Sequence, residues 1–405
     1  MSKETGLLKS WSKSGPPLLW TFDNAGIGYS GPALVGHRLF LMGARGDSEY
    51  VFALDLDPKR EGKPAEVWAV KIGPTFTFKG NTWGPGPRAT PTVEGDLVFA
   101  LGGQGTLVSV SAASGKEVWR RDLAVDMAAE VNPIGGGPEK LGWGFCWSPL
   151  VDGDQLICVP GGPAGTVAAL DKKTGKILWR SKELTDQASY SSPIVASVGG
   201  IRHYVILTNE GVAGVAAKAG QLLWKYAKKP PYNDVVIPTP IFHEEHVYVT
   251  VGWGAGCDLI KLTRAGEKIK ADKVYANKNM VNHQGGVVLV GDHLFGYSEN
   301  KGWIFQDFKS GQTTWSEKRA LGRGGSVIYA DGRLYCYTED DGVLVQGEAT
   351  PAGFKITGRY EIPQQSKQRA QSGKVWTHPV IADGKLYLRD QELLFCLDIK
   401  DPSGR

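Results

Sequence analysis

Short apolar runs alternate with turns rich in Gly, Asp and Lys along the whole chain, most regularly between Trp147 and Trp179, WSPLVDGDQLICVPGGPAGTVAALDKKTGKILW. The first run, Pro149 to Val151, reverses at Asp152-Gly153-Asp154 into a second, Leu156 to Val159. A Gly/Pro-rich turn leads to Thr166 to Leu170, and Asp171-Lys-Lys-Thr-Gly175-Lys176 then turns the chain into Ile177 to Trp179. Apolar runs of this length bounded by turn residues read as strands, so the stretch predicts four antiparallel strands in about thirty residues.

The final turn carries the most information. Asp171 can accept hydrogen bonds from nearby backbone amides, and Gly175 can take the positive φ that closes a tight reversal. Trp179 follows at a fixed offset from that glycine. One such sheet leaves its apolar faces and its edges uncovered, so it requires neighbours of its own kind.

Those neighbours are present. Similar units run from Pro32 to Trp68, Pro91 to Trp119, Pro193 to Trp224, Pro240 to about Ile269, Val287 to Trp315 and Val327 to about Ile356. The remainder, Pro379 to Leu397, holds three strands, whereas Leu18 to Phe22 at the other end reads as a lone last strand carrying Trp20. Adding that fragment to Leu393 to Ile399 completes an eighth unit and removes the free sheet edges of an open array. A solenoid of the same units would need polar caps at both ends. The expected fold is therefore all-β, one eight-bladed β-propeller domain over 1–405 whose last blade is completed by an N-terminal strand. Its four-stranded antiparallel blades fall at about 32–72, 91–122, 149–182, 193–227, 240–275, 287–318, 327–362 and 379–399 plus 18–22.

The turn recurs as Ala113-Ser-Gly115-Lys-Glu-Val-Trp119, Lys218-Ala-Gly220-Gln-Leu-Leu-Trp224, Arg264-Ala-Gly266-Glu-Lys-Ile and Lys309-Ser-Gly311-Gln-Thr-Thr-Trp315. Its Trp residues sit on outer strands, where large rings are expected to wedge between adjacent blades. Ala169-Leu-Asp171-Lys-Lys-Thr174-Gly175-Lys176-Ile-Leu-Trp179 resembles the pyrroloquinoline-quinone-type repeat, A-x-D-x-x-T-G-K-x-x-W, position by position. The likeness covers essentially the whole chain. It implies kinship either with the eight-bladed quinoprotein alcohol dehydrogenases or with non-catalytic bacterial propellers similar to the B lipoprotein of the outer-membrane barrel-assembly machinery. Such a repeat specifies a fold strongly and an activity weakly.

Composition agrees with a turn-rich all-β protein, with 54 Gly and 13 Trp among 405 residues and 41% hydrophobic content. The 46 basic and 42 acidic side chains nearly balance at +4, and the lysines are scattered through turns. Pairs such as Lys228-Lys229 read as solvated turn residues, so no nucleic-acid partner is expected. The five cysteines, 146, 158, 257, 336 and 396, are odd in number and dispersed, which reads as buried free thiols; only Cys146 and Cys158 fall near enough to suggest a bridge. No run approaches the length of a membrane helix, and Met1-Ser-Lys-Glu lacks the apolar core of a signal peptide. A chain complete at Met1 would be cytoplasmic, whereas the family resemblance implies export to the periplasm; a monomer is expected.

Chemistry is expected at one mouth of the central channel, ringed by the connections between blades. They contribute Tyr29-Ser30, Trp83 and Arg88, Trp143 and Trp147, Tyr190, Asn233-Asp234, Asn282-His283, Arg319 to Arg323, and Trp376 with His378. This ring is richer in Trp, Arg, Asn and His than the opposite turns. Two connections, about 73–90 and 121–147, exceed the usual loop length, which points to function. Converging aromatic and polar groups form a pocket or plug the mouth; Arg88 and Arg323 would favour an anionic group. The candidate ligand residues are thus Trp83, Arg88, Trp143, Trp147, Tyr190, Asn233, Asp234, Asn282, His283, Arg323, Trp376 and His378, with no catalytic or metal-binding residue assigned.

Resemblance to a quinoprotein dehydrogenase implies a catalytic Asp, a calcium held by carboxylate and amide oxygens, and a vicinal disulfide. No adjacent cysteines occur, and Asn233, Asp234 and Asn282 are the few oxygen donors on these loops that a hard cation could use. His243-Glu-Glu-His246 has the wrong spacing and the wrong element for a zincin, and Gly252-Trp-Gly254-Ala-Gly256 has no helix after it to form a dinucleotide loop. The leading expectation is a non-catalytic binding or scaffold propeller that takes a peptide, a protein or a small polar ligand, without a cofactor. A quinone-dependent oxidoreductase using pyrroloquinoline quinone with calcium is the second, and a sugar-binding propeller, resting on the Trp rings of the loop face, is the third.

Overall fold

The Asp171 turn forms as its residues require. Its carboxylate accepts from the amides of Lys173 (3.1 Å) and Thr174 (2.8 Å) and from the Thr174 hydroxyl (2.8 Å). The hydroxyl and amide of Thr174 hold that carboxyl below its usual range. Gly175 sits at φ 70°. A Cβ on it would lie 2.7 Å from the Trp119 ring, so the Trp of one blade seats on bare backbone of the next, and its indole donates to Lys172 O at 2.9 Å. Trp68 treats Gly115 and Ala112 O (3.1 Å) in the same way, and Tyr275 takes the place of a Trp over Gly311.

The structure, a computed structural model, describes residues 1–57, 64–228, 235–350 and 352–403. Its strands form eight four-stranded antiparallel sheets. Blades 1 to 7 are continuous in sequence, at 33–74, 92–122, 150–180, 194–227, 241–277, 287–317 and 326–361. Blade 8 combines Val380–Ala382, Lys385–Asp390 and Leu393–Asp398 with Leu18–Phe22 on its outer edge, in the register Leu18↔Leu397, Trp20↔Cys396, Thr21↔Phe395 and Phe22↔Leu394. The expected closure by the N-terminal strand is thus present.

Three local expectations are corrected. The segment Arg264-Ala-Gly266 is not a copy of the Asp171 turn: Gly256–Ala265 and Lys268–Asn277 run on to a tight hairpin in which Ala265 pairs with Lys268. With no such glycine beside it, Trp224 turns onto its own blade, over Gly214 and edge-on to His203. Lys228 is not solvated: it is buried, ion-paired to Asp258, which also accepts from the Tyr226 hydroxyl at 2.7 Å. Lys229 lies outside the described residues. All five cysteines are free, Cys146 and Cys158 included.

The first strands of six of the eight blades, 1 to 5 and 8, follow a connection that carries a hydroxyl or small residue near a proline, and these residues stitch neighbours together. Gly31 N donates to Thr90 Oγ1 (3.1 Å), Thr90 N to Ser148 Oγ (3.0 Å) and Ser148 N to Ser192 Oγ (2.9 Å). Ser191 Oγ donates to Pro238 O (3.0 Å), and Thr377 Oγ1 to Tyr29 O (3.2 Å) across the seam. A hydroxyl can give and accept, so a chain of them satisfies backbone groups that the inner strand starts would otherwise leave open.

The seam has two further fastenings. Leu7 is buried between blades 7 and 8, Trp11 packs on Gly358 and Tyr335, and Leu8 O accepts from Gln346 Nε2 at 2.7 Å. Arg389, 1% exposed, reaches from blade 8 into the connection that enters blade 1.

One prediction follows from the turn. Gly175→Ala should lower stability by about 1 kcal/mol for the left-handed backbone alone, and by more once the Trp119 ring must move. The urea midpoint measures it, and an unchanged midpoint would mean that the Trp-on-glycine contact contributes nothing.

Candidate functional site

In an up-and-down four-stranded blade the connections to neighbours lie at one end of the ring, and the turn between second and third strands returns to that same end. Glu49, buried at the start of blade 1's third strand, accepts from Phe76 N (3.0 Å) and Gly103 N (2.8 Å). The Phe76 amide anchors the long connection 75–91 where it leaves blade 1, the Gly103 amide ties in the turn between blade 2's second and third strands, and burial raises the Glu49 carboxyl above its usual range.

That connection then crosses towards blade 8. Ser372 N donates to Thr82 O at 2.8 Å, and Trp83 stacks on Trp376 with ring centroids 5.5 Å apart and planes at 24°. Tyr29 lies 5.2 Å from Trp376 and donates its hydroxyl to Trp83 O. The Trp376 indole donates to Glu339 Oε2 at 3.0 Å. The Arg88 guanidinium sits among the rings of Tyr29, Phe76 and Trp143 at 5.5, 5.2 and 5.7 Å. Its terminal nitrogens are engaged by Gly86 O (2.8 Å) and Gly84 O (3.0 Å), so the donors expected to meet an anion hold the loop instead. The result is a cross-braced aromatic lid with Trp83, 38% exposed, on its outside.

Trp143 joins this lid edge-on to Phe78 at 5.2 Å, and its amide donates to the buried Tyr190 hydroxyl at 3.1 Å. Trp147 is fully buried in the core shared by blades 2 to 4. A second group stands on blades 5 and 6. Asn282 is buried, with Nδ2 donating to Gly286 O (3.1 Å) and Tyr297 O (2.9 Å), and His283 Nε2 accepts from the Trp253 indole at 3.0 Å. Arg323 is exposed and its charge reaches both Tyr297 and Glu339, between the two groups. His378 is exposed beside Gly286, while Asn233 and Asp234 lie outside the described residues.

Phe76, Phe78, Glu49, Glu339 and Trp253 also belong to this face. The last three come from turns between second and third strands or from the strand beside such a turn, and the strand count was the signal that would have placed them there. The Arg88 donors that a quinone's carboxylates would need are engaged within their own loop, whereas Asn282 Oδ1, the oxygen a hard cation would use, is buried without a hydrogen-bond partner. Among the described residues no three His, Cys, Asp or Glu side chains are grouped to hold a metal ion.

Burial lowers His283 to about 4, in keeping with a neutral ring that accepts the indole proton. The unfolded chain takes up a proton near pH 6.5 while the folded one resists to about 4, so stability is full above the first value and falls as pH drops through that window. His283→Gln should flatten the acid side of the stability profile there; an unaltered profile would refute the assignment.

Fold and face together define an eight-bladed propeller of pyrroloquinoline-quinone-type repeats, closed by its own N-terminal strand and lidded by aromatic loops. The family profile described as outer membrane protein assembly factor BamB matches residues 18–317, and the chain belongs to that family. It is 23% identical to the assembly factor BamB of Moranella endobia over 354 residues, 74% of this chain and 86% of that one. It is 30% identical to the quinohemoprotein alcohol dehydrogenase ADH IIB of Pseudomonas putida, over 38% of this chain and 21% of that one. The crystal structure of BamB from Moraxella catarrhalis superposes with a TM-score of 0.61 at 12% identity, covering 95% of this chain and all of that one, which is a likeness of fold.

Proposed function

We propose that this chain is a non-catalytic scaffold in the assembly of outer membrane proteins, working as a monomer on the periplasmic side and docking an extended peptide or protein on its loop face. The observation that carries this reading is the family match over 18–317, joined by relatives named outer membrane protein assembly factor along more than two thirds of the chain. The loop face supports it, since Trp83, Trp253, Arg319 and Arg323 are displayed on a braced platform, the arrangement that concentrates binding energy in rigid aromatic and Arg anchors.

Deleting the encoding gene in its host tests the reading. Outer membrane protein levels should fall and be restored by the wild-type chain; unchanged levels would refute it. Dye-linked alcohol oxidation by the purified chain with pyrroloquinoline quinone and calcium should remain at background, and robust turnover would replace the scaffold by an oxidoreductase.

A further inference from the structure

Trp253 stands at the tip of blade 5 in a conformation its side chain disfavours. It is 45% exposed and has φ 53°, a left-handed backbone that a bulky residue adopts only where its surroundings impose it. The imposing contacts are visible. Glu299 Oε1 accepts the Trp253 amide at 2.8 Å, His283 Nε2 accepts the indole N–H at 3.0 Å, and a Cβ on Gly252 would meet Glu299 at 2.8 Å and His283 at 2.9 Å. An exposed indole is thus clamped from two neighbouring loops, which removes the ordering cost that a mobile ring would bring to binding.

The charge around it is one-sided. The segments 278–286 and 298–302 that meet at this tip, with 317–325 packed beside Gly302, carry Lys278, Lys301, Lys318, Arg319 and Arg323 against Glu299 and Glu317 alone, five cations to two carboxylates. Both carboxylates are engaged by backbone: Glu299 by Trp253, Glu317 by the amides of Arg319 (2.7 Å) and Ala320 (3.1 Å). The next acids round the ring, Glu339, Asp340 and Asp341, are taken by Trp376, Lys374 and Thr338. Lys278, Lys318, Arg319 and Arg323 are exposed, and Lys301 is held by the neutral Asn279 Oδ1.

We infer that the blade 5 to blade 7 sector of the loop face docks an acidic protein segment, with Trp253 as its apolar anchor and Lys278, Lys318, Arg319 and Arg323 as its charge complement. The inference rests on the scaffold reading and names the chemistry of the partner. A protein segment fits better than an anionic bilayer because Trp253 is the one large apolar side chain left exposed among the described residues of this tip, whereas membrane adsorption draws on several. The cations steer encounter and the indole sets residence time.

The test uses the full chain and three probes: a short fluorescein-labelled peptide of alternating Glu and Leu, its Lys and Leu counterpart, and phosphatidylglycerol vesicles. The Glu/Leu peptide should bind, more weakly at high salt, with Kd raised about tenfold or more by Trp253→Ala and by the pair Lys318→Glu and Arg323→Glu. Lys173→Glu with Lys176→Glu, on the opposite side of the ring, should leave Kd unchanged, and all variants should keep the wild-type melting temperature. Equal binding of the Lys/Leu peptide, binding indifferent to these substitutions, or vesicle binding without Glu/Leu peptide binding would each overturn the inference. If the peptide fails while the wild-type chain still restores outer membrane protein levels in the deletion host, this inference falls and the scaffold reading stands.

Discussion

A chain lacking residues 1–22 should lose about 5 kcal/mol or more of stability and recover largely as aggregate, although the deletion touches no loop of the proposed docking face. Leu7 and Phe22 are buried, and each such side chain contributes about 1.5 to 3 kcal/mol. Trp11 and Trp20 add partial burial, Trp20 lying 6.0 Å from Tyr387. The loss also strips Leu393–Asp398 of its outer pairing partner and leaves an unprotected edge, which templates pairing with other chains. Size-exclusion chromatography and thermal unfolding check this; a monomeric deletion chain with an unchanged melting temperature would refute the closure argument. Removing 1–16 alone should cost less, because Leu18–Phe22 would still complete blade 8.

Closure was legible in the sequence because a strand deficit at one end and a surplus at the other are local patterns that can be counted. The repeat was legible for the same reason: Asp171, Gly175 and Trp119 act through turn chemistry and a contact at fixed spacing. Leu7 and Trp11 were not legible, since the strap they belong to has no strand period and is held by single acceptors on distant segments, such as Arg359 O for the Trp11 indole. Trp224 followed the repeat in sequence and departed from it in space, because Gly266 of the next blade sits at the tip of an extended hairpin, where a Cβ would meet nothing within 4 Å.

The candidate site divides in the same manner. Residues on blade connections, such as Trp83, Trp376 and His283, could be assigned to one face from topology. The roles of Arg88 and Trp147 could not, because whether a guanidinium meets a ligand or its own loop, or an indole faces solvent or core, depends on packing among segments far apart in sequence. Trp253 was visible only as part of a glycine-rich stretch between strands. What gives it meaning is the pair of partners, His283 and Glu299, supplied by the following blade.

Arg389→Met should cost about 3 to 5 kcal/mol, the range for removing the partner of buried polar groups, and more than any exposed substitution on the molecule. Buried between blades 8 and 1, the guanidinium donates to Gln391 O (2.7 Å), Ser30 O (2.6 Å), Met42 O (2.9 Å) and Gly26 O (2.8 Å). Its neighbours in this array are carbonyls, so the charge is met by oriented dipoles at the place where the ring must close. Burial pushes it down to about 9, which still leaves it charged at neutral pH. Methionine would preserve much of the volume but abandon those acceptors on both sides of the seam. Lysine should rescue little, because a compact ammonium cannot reproduce a planar fork that serves acceptors in several directions. Urea unfolding of the two variants reads this out, and a loss below about 1 kcal/mol for Arg389→Met would show that the strand pairing of Leu18–Phe22 closes the ring without help.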